Sequence, residues 1–481
     1  MSNESTNALE TRVLHTLAKV FPDEPLRAGD EAGAMRHTAL ANETYVFQIA
    51  YRSASILRHL RVAVDSPLAP LVRVRAVGLV PSELPCYPDA DDDVLRKTPG
   101  LYPDPLYPIG DYGLAVPPNQ WRSLWVSVHL DGSVPAGEYP VTVKISTDEG
   151  ETLAENTVTL RVLAAKLPPQ KLIYTNWFHT DCIADVYGCE VFSERHWELV
   201  EKFVRTAAEH GMNMLLTPLF TPPLDTAIGG ERTTVQLVDV ERTAPGEYRF
   251  GFGRLKRWID MARAAGIEYF EMSHLFTQWG ARHAPKIIAR TESGETRRIF
   301  GWETDAAGPE YRRFLESFLP ALAKFLKDEG VADRTWFHVS DEPSLKDLES
   351  YKSASSIVRG LLPDFPVLDA LSDFDFYGLG LVPRPVPATN HIEPFLAHGV
   401  PGLWTYYCCG QYKGTSNRFF NMPSGRTRVL GLQLYKFDIA GFLHWGYNFY
   451  NTHHSLRNID PYKVTDASCA FPSGGAFIVY P

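Results

Sequence analysis

The chain of 481 residues has no block of basic residues, and its net charge is −10 at pH 7, from 47 Lys and Arg against 57 Asp and Glu. A nucleic-acid binder carries a Lys/Arg stripe to meet the phosphate backbone, so no nucleic acid is expected as a partner. No stretch approaches the ~18 apolar residues of a membrane span, and MSNESTNALETRVLHTLAKVFPDE has neither the charged start nor the apolar core of a secretory signal. That predicts a cytoplasmic protein with no membrane partner. The six cysteines, Cys86, Cys182, Cys189, Cys408, Cys409 and Cys469, never take C-x-x-C spacing, which leaves free thiols and no zinc or redox motif. The vicinal pair Cys408-Cys409 reads first as small buried hydrophobes at a strand end, with a reactive pair as the alternative. Nothing calls for a metal or cofactor, and nothing sets the oligomeric state.

Aromatic residues are well represented, at 12%. Most pack cores, but such rings also form the platforms on which sugars stack. The length implies at least two domains. From about residue 40 to 165, short alternating runs such as ETYVFQIAYR, RSLWVSVHL and NTVTLRVL are separated by Pro/Gly/Asp turns, so residues 1–165 read as an all-β sandwich. Within it, VPAGEYPVTV predicts a hairpin ahead of an edge strand, and the Pro-rich run 83–118 predicts a long loop packed on the next domain. LAAKLPPQ, residues 163–170, is the linker.

Over residues 170–481 strands alternate with amphipathic helices, the pattern of an α/β fold built as a (β/α)8 TIM-type barrel. Strands are expected at KLIYTNWFHT, MNMLLTPLF, IEYFEMSHLF, TWFHVSDE, PVLDALSDF, LVPRPV, LWTYYCC and GFLHWGYNFY, with helices near 193–210, 253–265, 309–328, 345–361, 391–398 and 424–438. The stretch from Leu224 to Phe250 predicts a β-hairpin over the barrel mouth. No helix follows the last strand, so either the eighth is lacking in this version or the sequence is a fragment.

In such barrels the reacting groups close the strands at their C-terminal ends. Those residues here are Asn176, Trp177 and His179, then Glu271, Ser273 and His274, then His338, Ser340, Asp341 and Glu342, then Asp369, Asp373 and Asp375, and finally Trp404, Tyr406 and Tyr407 with His444, Trp445, Tyr447 and Asn448. Glycoside hydrolysis needs carboxyl groups beside a bond that develops oxocarbenium character, which singles out Asp341 and Glu342. Pro343 should hold Glu342 extended. With a period of two, His338, Ser340 and Glu342 share one face, and Asp341 turns inward only if the chain rolls over the rim. Two carboxylates this close repel, leaving one protonated near neutrality. The competing explanation for Asp-Glu-Pro is a helix N-cap.

The segments WFHVSDEPSLKDLESYKSAS, FEMSHLFTQWGARHAPKI, IFGWETDAAGPEY, LWTYYCCGQYKGTSNRF and GFLHWGYNFYN resemble the catalytic domain of glycoside hydrolase family 123, over roughly residues 170–481. The resemblance implies a β-N-acetylgalactosaminidase, a glycosidase of the β-N-acetylhexosaminidase type, acting on a glycan or glycoconjugate fragment. Its catalytic pair would be Asp341 and Glu342. The reaction would be substrate-assisted, with the 2-acetamido oxygen attacking the anomeric carbon. Glu342 would serve as acid and base, and Asp341 would orient the acetamido N–H. Glu271 is the candidate nucleophile if an ordinary retaining scheme holds instead.

Substrate-binding candidates are Asn176, Trp177, His274, His338, Trp404, Tyr406, Tyr407, Trp445, Tyr447 and Asn448. Trp279, Arg282 and His283 follow the third strand in a loop, where anchoring competes with covering the pocket. Two rival readings remain. One is a metal-dependent hydrolase using His179, His274, His338 and the aspartates, although the usual His-x-His is missing. The other is a non-catalytic carbohydrate-binding protein on a hydrolase scaffold.

Overall fold

The computed structural model describes residues 9–32 and 37–481. Two compact units emerge, one made of residues up to Pro85 with Asp93–Gln170 and Phe420–Thr427, the other of Cys86–Asp92, Lys171–Phe419 and Arg428–Pro481.

The first unit is β-rich. One sheet orders Leu9–His15, Thr44–Ser53, Arg122–His129, Val72–Ser82 and Gly100–Pro108; the other orders His37–Leu40, Thr152–Leu163, Gly137–Ser146, Leu57–Asp65 and Leu114–Val116. Alternation turns Phe47, Ile49, Leu124, Val126 and Val128 of the first sheet, and Val141, Val143, Ile145, Val158 and Leu160 of the second, into one shared core. Two expectations need correction. The strand Gly137–Ser146 is interior, not an edge; Pro140 is tolerated because pairing to Leu57–Asp65 begins only at Thr142, so its missing N–H interrupts no bond on that side. The Pro-rich run is no single loop, since Gly100–Pro108 and Leu114–Val116 are strands within it.

The second unit is mixed α/β. Its parallel strands are β1 (Ile173–Asn176), β2 (Met214–Thr217), β3 (Tyr269–Met272), β4 (Thr335–Phe337), β5 (Leu368–Ala370), β6 (Arg384–Val386), β7 (Trp404–Tyr406) and β8 (Gly441–His444). They form three short sheets, β1-β8-β7, β2-β3-β4 and β5-β6. Backbone bonds join the sheets: Asn213 N donates to Tyr174 O, Phe337 N to Pro366 O, Tyr406 N to Pro387 O and Thr389 N to Tyr406 O. Helices follow the strands in turn, among them α1 (Thr180–Tyr187), α2 (Glu194–Glu209), α3 (Gly253–Ala265), α4 (Pro309–Asp328), α5 (Leu348–Leu361), α6 (Phe374–Gly378), α7 (Glu393–Ala397) and α8 (Ser424–Lys436). Ser193 caps α2, accepting from His196 N at 3.3 Å. Helix α4 buries Tyr311, Phe314, Leu315, Phe318, Leu319, Leu322 and Leu326, a stripe at helical spacing.

The short helices α1 and α6 escape the sequence pattern because a turn or two offers too little periodicity to read. The predicted hairpin is present as Asp239–Ala244 and Glu247–Gly251, and it extends into a four-stranded sheet with Ile287–Arg290 and Thr296–Phe300. It packs on α4 through Tyr248 and Phe250 against Phe314 and Phe318, rather than over the strand ends. After β8 the described residues hold only the turn His453–Ser455, and Tyr447 reaches α2 by donating its hydroxyl to Phe203 O at 2.9 Å. No helix of the described residues is long and apolar enough to cross a membrane.

Within β8, a Cβ at Gly441 would lie 2.1 Å from the Trp404 ring. Gly441→Ala should therefore destabilise the protein by about 1–3 kcal/mol through overpacking. A lowered urea midpoint, partly restored when Trp404 is also shortened to Leu, is the expected outcome; an unchanged midpoint contradicts this packing.

Candidate active site

The site rests on a buried ionic chain. Glu271 on β3 accepts from Thr175 Oγ1 at 2.7 Å, from Trp177 Nε1 at 2.8 Å and from His338 Nε2 at 2.5 Å. The other His338 nitrogen faces Asp369 Oδ1 of β5 at 3.3 Å, and Asp369 also accepts from the hydroxyl of Tyr351 on α5. Glu271, His338 and Asp369 are fully buried. Burial alone would lower the His338 pKa, but the hydrogen bonds and charges of Asp369 and Glu271 overrule it and push it up to about 9. An imidazolium held between two carboxylates is the way such charges can be removed from water together.

The same chain fixes the segment ahead of the carboxyl pair. Asp369 Oδ1 accepts from the amides of Val339 at 3.0 Å and Ser340 at 3.3 Å, and Ser340 Oγ donates to Thr277 O at 2.8 Å. Beyond it, Trp279 N donates to Asp341 O and Glu342 N to Ala370 O. These bonds hold Glu342 at φ 43°, in the left-handed region. The extended conformation expected from Pro343 is thus corrected: clamped on both sides, the backbone accepts strain that a free pre-proline residue avoids. The turn places both carboxyl groups in one cavity wall, Asp341 the deeper and Glu342 the more exposed. Tyr406 Oη donates to Glu342 Oε1 at 2.5 Å. Burial first, and then the Glu342 charge, hold the Asp341 carboxyl well above the ordinary range, against the opposing pull of His338.

The cavity, about 190 Å³, is walled by Trp177, Trp279, Tyr406, Trp445 and Phe471, with Asp225, Gln278, His453, Cys408 and Cys409 also on its surface. Of the predicted binding residues, Trp177, Tyr406 and Trp445 therefore reach it. Trp445 Nε1 is buried and has no hydrogen-bond partner among the described residues.

The others are placed elsewhere. Trp404 begins β7 rather than ending it and packs on Trp336 at 5.2 Å, at the opposite end of the strands. Tyr407 follows Tyr406 and so points the other way, against Phe442 and His444. Tyr447 stacks on Phe178 and bonds to α2. Asn448 clamps the backbone of His179, accepting from its N and donating to its O. Asn176 bonds to Tyr174 and Arg418. His274 stacks on His338 with ring centroids 4.2 Å apart, buried and outside the cavity wall, as is His338 itself. Arg282 pairs with Asp347 and anchors its loop, and Asp373 accepts from Asp375 N at the start of α6.

Two histidines of the metal-hydrolase reading, His179 and His338, are engaged otherwise. Both His179 nitrogens are taken, one by Arg232 and one by Trp445 O, and burial followed by the Arg232 charge draws its pKa down to about 3. His274, His338 and Asp369 lie close enough to share a cation, yet both His338 nitrogens are bonded to carboxylates and the stacked rings do not converge their lone pairs.

Sequence reasoning passed over Asp225, Gln278, His453 and Phe471. Asp225 had one available signal: it lies a few residues past the second strand, inside the long excursion.

A carboxyl pair in an aromatic-walled cavity beyond parallel strands is the equipment of a glycosidase. The chain belongs to glycoside hydrolase family 123: residues 177–481 match the family described as "Glycoside hydrolase 123, catalytic domain". Among solved structures, a family 123 glycoside hydrolase from Clostridium perfringens, described in connection with glycolipid glycan hydrolysis, aligns over 98% of this chain and 83% of its own, at 14% identity and a TM-score of 0.74, and so has the same fold. A Parabacteroides merdae β-glucuronidase (9% identity, 92% of this chain and 49% of that one, TM-score 0.33) and a Rhizomucor miehei family 5 mannosidase (12%, 64% and 89%, 0.31) are far less similar. No curated protein matches.

Two stability predictions follow from these charges. The folded Asp341 pKa is raised, so its protonated form favours folding below the ordinary carboxyl range, and that advantage is lost as pH rises toward the raised value. Asp341→Asn, permanently neutral, should have a higher Tm than wild type at pH 7 and the same Tm near pH 4 by scanning calorimetry; a pH-independent difference contradicts the raised pKa. For His338, whose stabilising proton is held up to about pH 9, His338→Gln should lose about 3–5 kcal/mol at pH 6 and less above pH 9. A gap of constant size across that range would show that the imidazole is uncharged.

Proposed function

We propose that this glycosidase cleaves terminal β-linked N-acetylhexosamine, N-acetylgalactosamine above others, by retaining, substrate-assisted catalysis. The observation that carries the reading is the placement of Asp341 and Glu342 side by side in one wall, with Glu271 outside the cavity and occupied by three donors. An ordinary retaining enzyme needs its second carboxylate across the bond, about 5 Å from the first. A substrate that brings its own nucleophile, the acetamido oxygen, does not.

On this reading the dyad holds one proton. In the free protein burial keeps it on Asp341. When the sugar binds, the acetamido N–H donates to Asp341, which becomes the anion, and the proton is available on Glu342 for the leaving oxygen. As the acetamido oxygen closes on the anomeric carbon, positive charge grows beside Asp341 and is stabilised there. Glu342, left as carboxylate and held by Tyr406, then takes a proton from the attacking water. Trp445 and Trp177 offer ring faces to the sugar. The frame for this chemistry is a (β/α)8 barrel from Lys171 onward, with β1 to β8 closing in sequence order, preceded by a β-sandwich domain; the backbone bonds between the three sheets support the closure.

One observation favours a second scheme. Asp225 shares the cavity wall, and its charge contributes to raising Asp341. It is the available carboxylate for a protein nucleophile.

Both schemes are separated by hydrolysis of aryl β-N-acetylgalactosaminide, aryl β-N-acetylglucosaminide and aryl β-galactoside by wild type, Glu342→Gln, Asp341→Asn and Asp225→Asn, each checked for folding. Cleavage confined to acetamido sugars, falling about 10²–10⁴-fold in both dyad variants and less in Asp225→Asn, is expected. Turnover of the plain galactoside that depends on Asp225 would overturn the substrate-assisted scheme. Silence on every sugar would favour a carbohydrate-binding role or a larger substrate, for which a glycolipid glycan is the first choice.

A further inference from the structure

The cavity wall contains a pair of thiols that the proposed reaction does not use. Cys408 and Cys409 follow β7 directly, and both line the same cavity as Glu342. Their loop is tightly held: Cys408 N donates to Gln411 Oε1 at 2.8 Å, Asn417 Nδ2 donates to Cys408 O at 2.9 Å and to Gln411 O at 2.7 Å, and Gly410 N points at Cys408 Sγ at 3.4 Å. The Cys408 thiol and the Tyr87 hydroxyl both neighbour the Cys409 thiol, Tyr87 coming from Cys86–Asp92 of the same compact unit. These donors draw the Cys409 pKa down although burial and the Glu342 charge act against them, while the Cys408 thiol is pushed up. The arrangement is a thiol made more acidic, with a second thiol beside it, on the wall of one cavity. That is the combination under which thiol oxidation becomes site-selective. Cys182, by contrast, is fully buried with its thiol pushed far up, and is inert by the same criteria.

We propose that Cys408 and Cys409 form an oxidisable dithiol in the cavity wall, a modification site for a hydroperoxide that switches the pocket beside Glu342. The Cys409 thiolate attacks the terminal peroxide oxygen; the O–O bond breaks, the sulfur becomes a sulfenic acid, and the departing alkoxide takes a proton to leave as an alcohol, or as water when the oxidant is hydrogen peroxide. Cys408 sulfur then attacks Cys409 sulfur, the S–S bond forms, the S–O bond breaks, and the hydroxide leaves as water with the Cys408 proton. Two thiols are oxidised and one peroxide is reduced. Closing a ring through adjacent residues must re-aim the loop whose thiol side faces Glu342, and a displacement of about 1 Å at a reacting group is costly to rate.

The test uses the full chain, reduced and then treated with hydrogen peroxide. Peptide mass spectrometry should find the 408–409 peptide lighter by two hydrogens and closed to alkylation, before Cys86, Cys189 or Cys469 change. In Cys408→Ser, dimedone should trap a sulfenic acid on Cys409; in Cys409→Ser it should trap none there. Hydrolysis of the aryl N-acetylhexosaminide, an arm that rests on the function proposed above, should fall on the order of tenfold on oxidation and return with dithiothreitol. Thiols 408 and 409 that stay alkylatable while Cys469 is oxidised overturn the proposal, as does a disulfide that leaves the rate unchanged. If the reduced protein hydrolyses no aryl glycoside, the functional reading fails and the peptide result alone decides the dithiol.

Discussion

A single imidazolium, His338, is the constraint around which the second unit is organised. It is fully buried, so it can be charged only where carboxylates flank it, and Glu271 and Asp369 do so from the two neighbouring strands. Each carboxylate then needs further donors, which come from Thr175 and Trp177 at the end of β1 and from Tyr351 on α5. The result ties β1, β3, β4, β5 and a helix through one charge. Removing any partner leaves an uncompensated ion in the interior, the most expensive defect a core can have. The chain's rigidity is what lets so short a strand as Thr335–Phe337 deliver a functional loop in a fixed place.

Asymmetry of burial divides the labour of the two adjacent carboxyl groups. Both ride on one turn, yet Asp341 faces inward above His338 and Glu342 faces solvent and Tyr406. Like charges so close cannot both ionise cheaply, and the deeper group is the one that resists. His338 limits that resistance, because its charge acts on Asp341 in the opposite sense. A site that must switch Asp341 between neutral and anionic forms is served by this balance: burial and Glu342 favour the proton, the imidazolium favours its release, and a small input from bound substrate can tip it.

Much of this was legible before any coordinates, and the reasons are physical. Helices α2 to α5 carry apolar stripes long enough to be read, and most of the parallel strands are apolar runs closed by polar residues, which marks strand ends as well as strands. Asp341, Glu342, Trp177, Tyr406 and Trp445 were found by that rule. The same rule failed where its premise failed. Trp404 starts its strand, Tyr407 lies one residue out of phase with Tyr406, and Tyr447 and Asn448 lie past the point where β8 has turned away. His338 looked like a ligand contact, but what a buried histidine does depends on which carboxylates reach it from other strands, and no local pattern records that. Cys408 and Cys409 read as apolar filler because a thiol's surroundings, and not its identity, decide whether it is reactive.

The cavity is edged by backbone that no turn signature announces. Asp225, Trp279, Glu342 and His454 all have positive φ, and none is glycine. Each is held by a bond to another part of the rim: Gln278 accepts from Asp225 N, Asp225 Oδ2 accepts from His454 N, Asp341 O accepts from Trp279 N, and Ala370 O accepts from Glu342 N. Ring contact between Trp279 and His454 closes the set. Each of these residues adopts a conformation it would avoid alone, and each is kept there by a bond to a neighbouring loop. The rim is thereby one cooperative object, and its backbone conformations carry no signature in the sequence because none of them is set by one residue alone. The short parallel strands supply the stable floor; the mutual bracing of these loops gives the carboxyl pair a fixed opening above it.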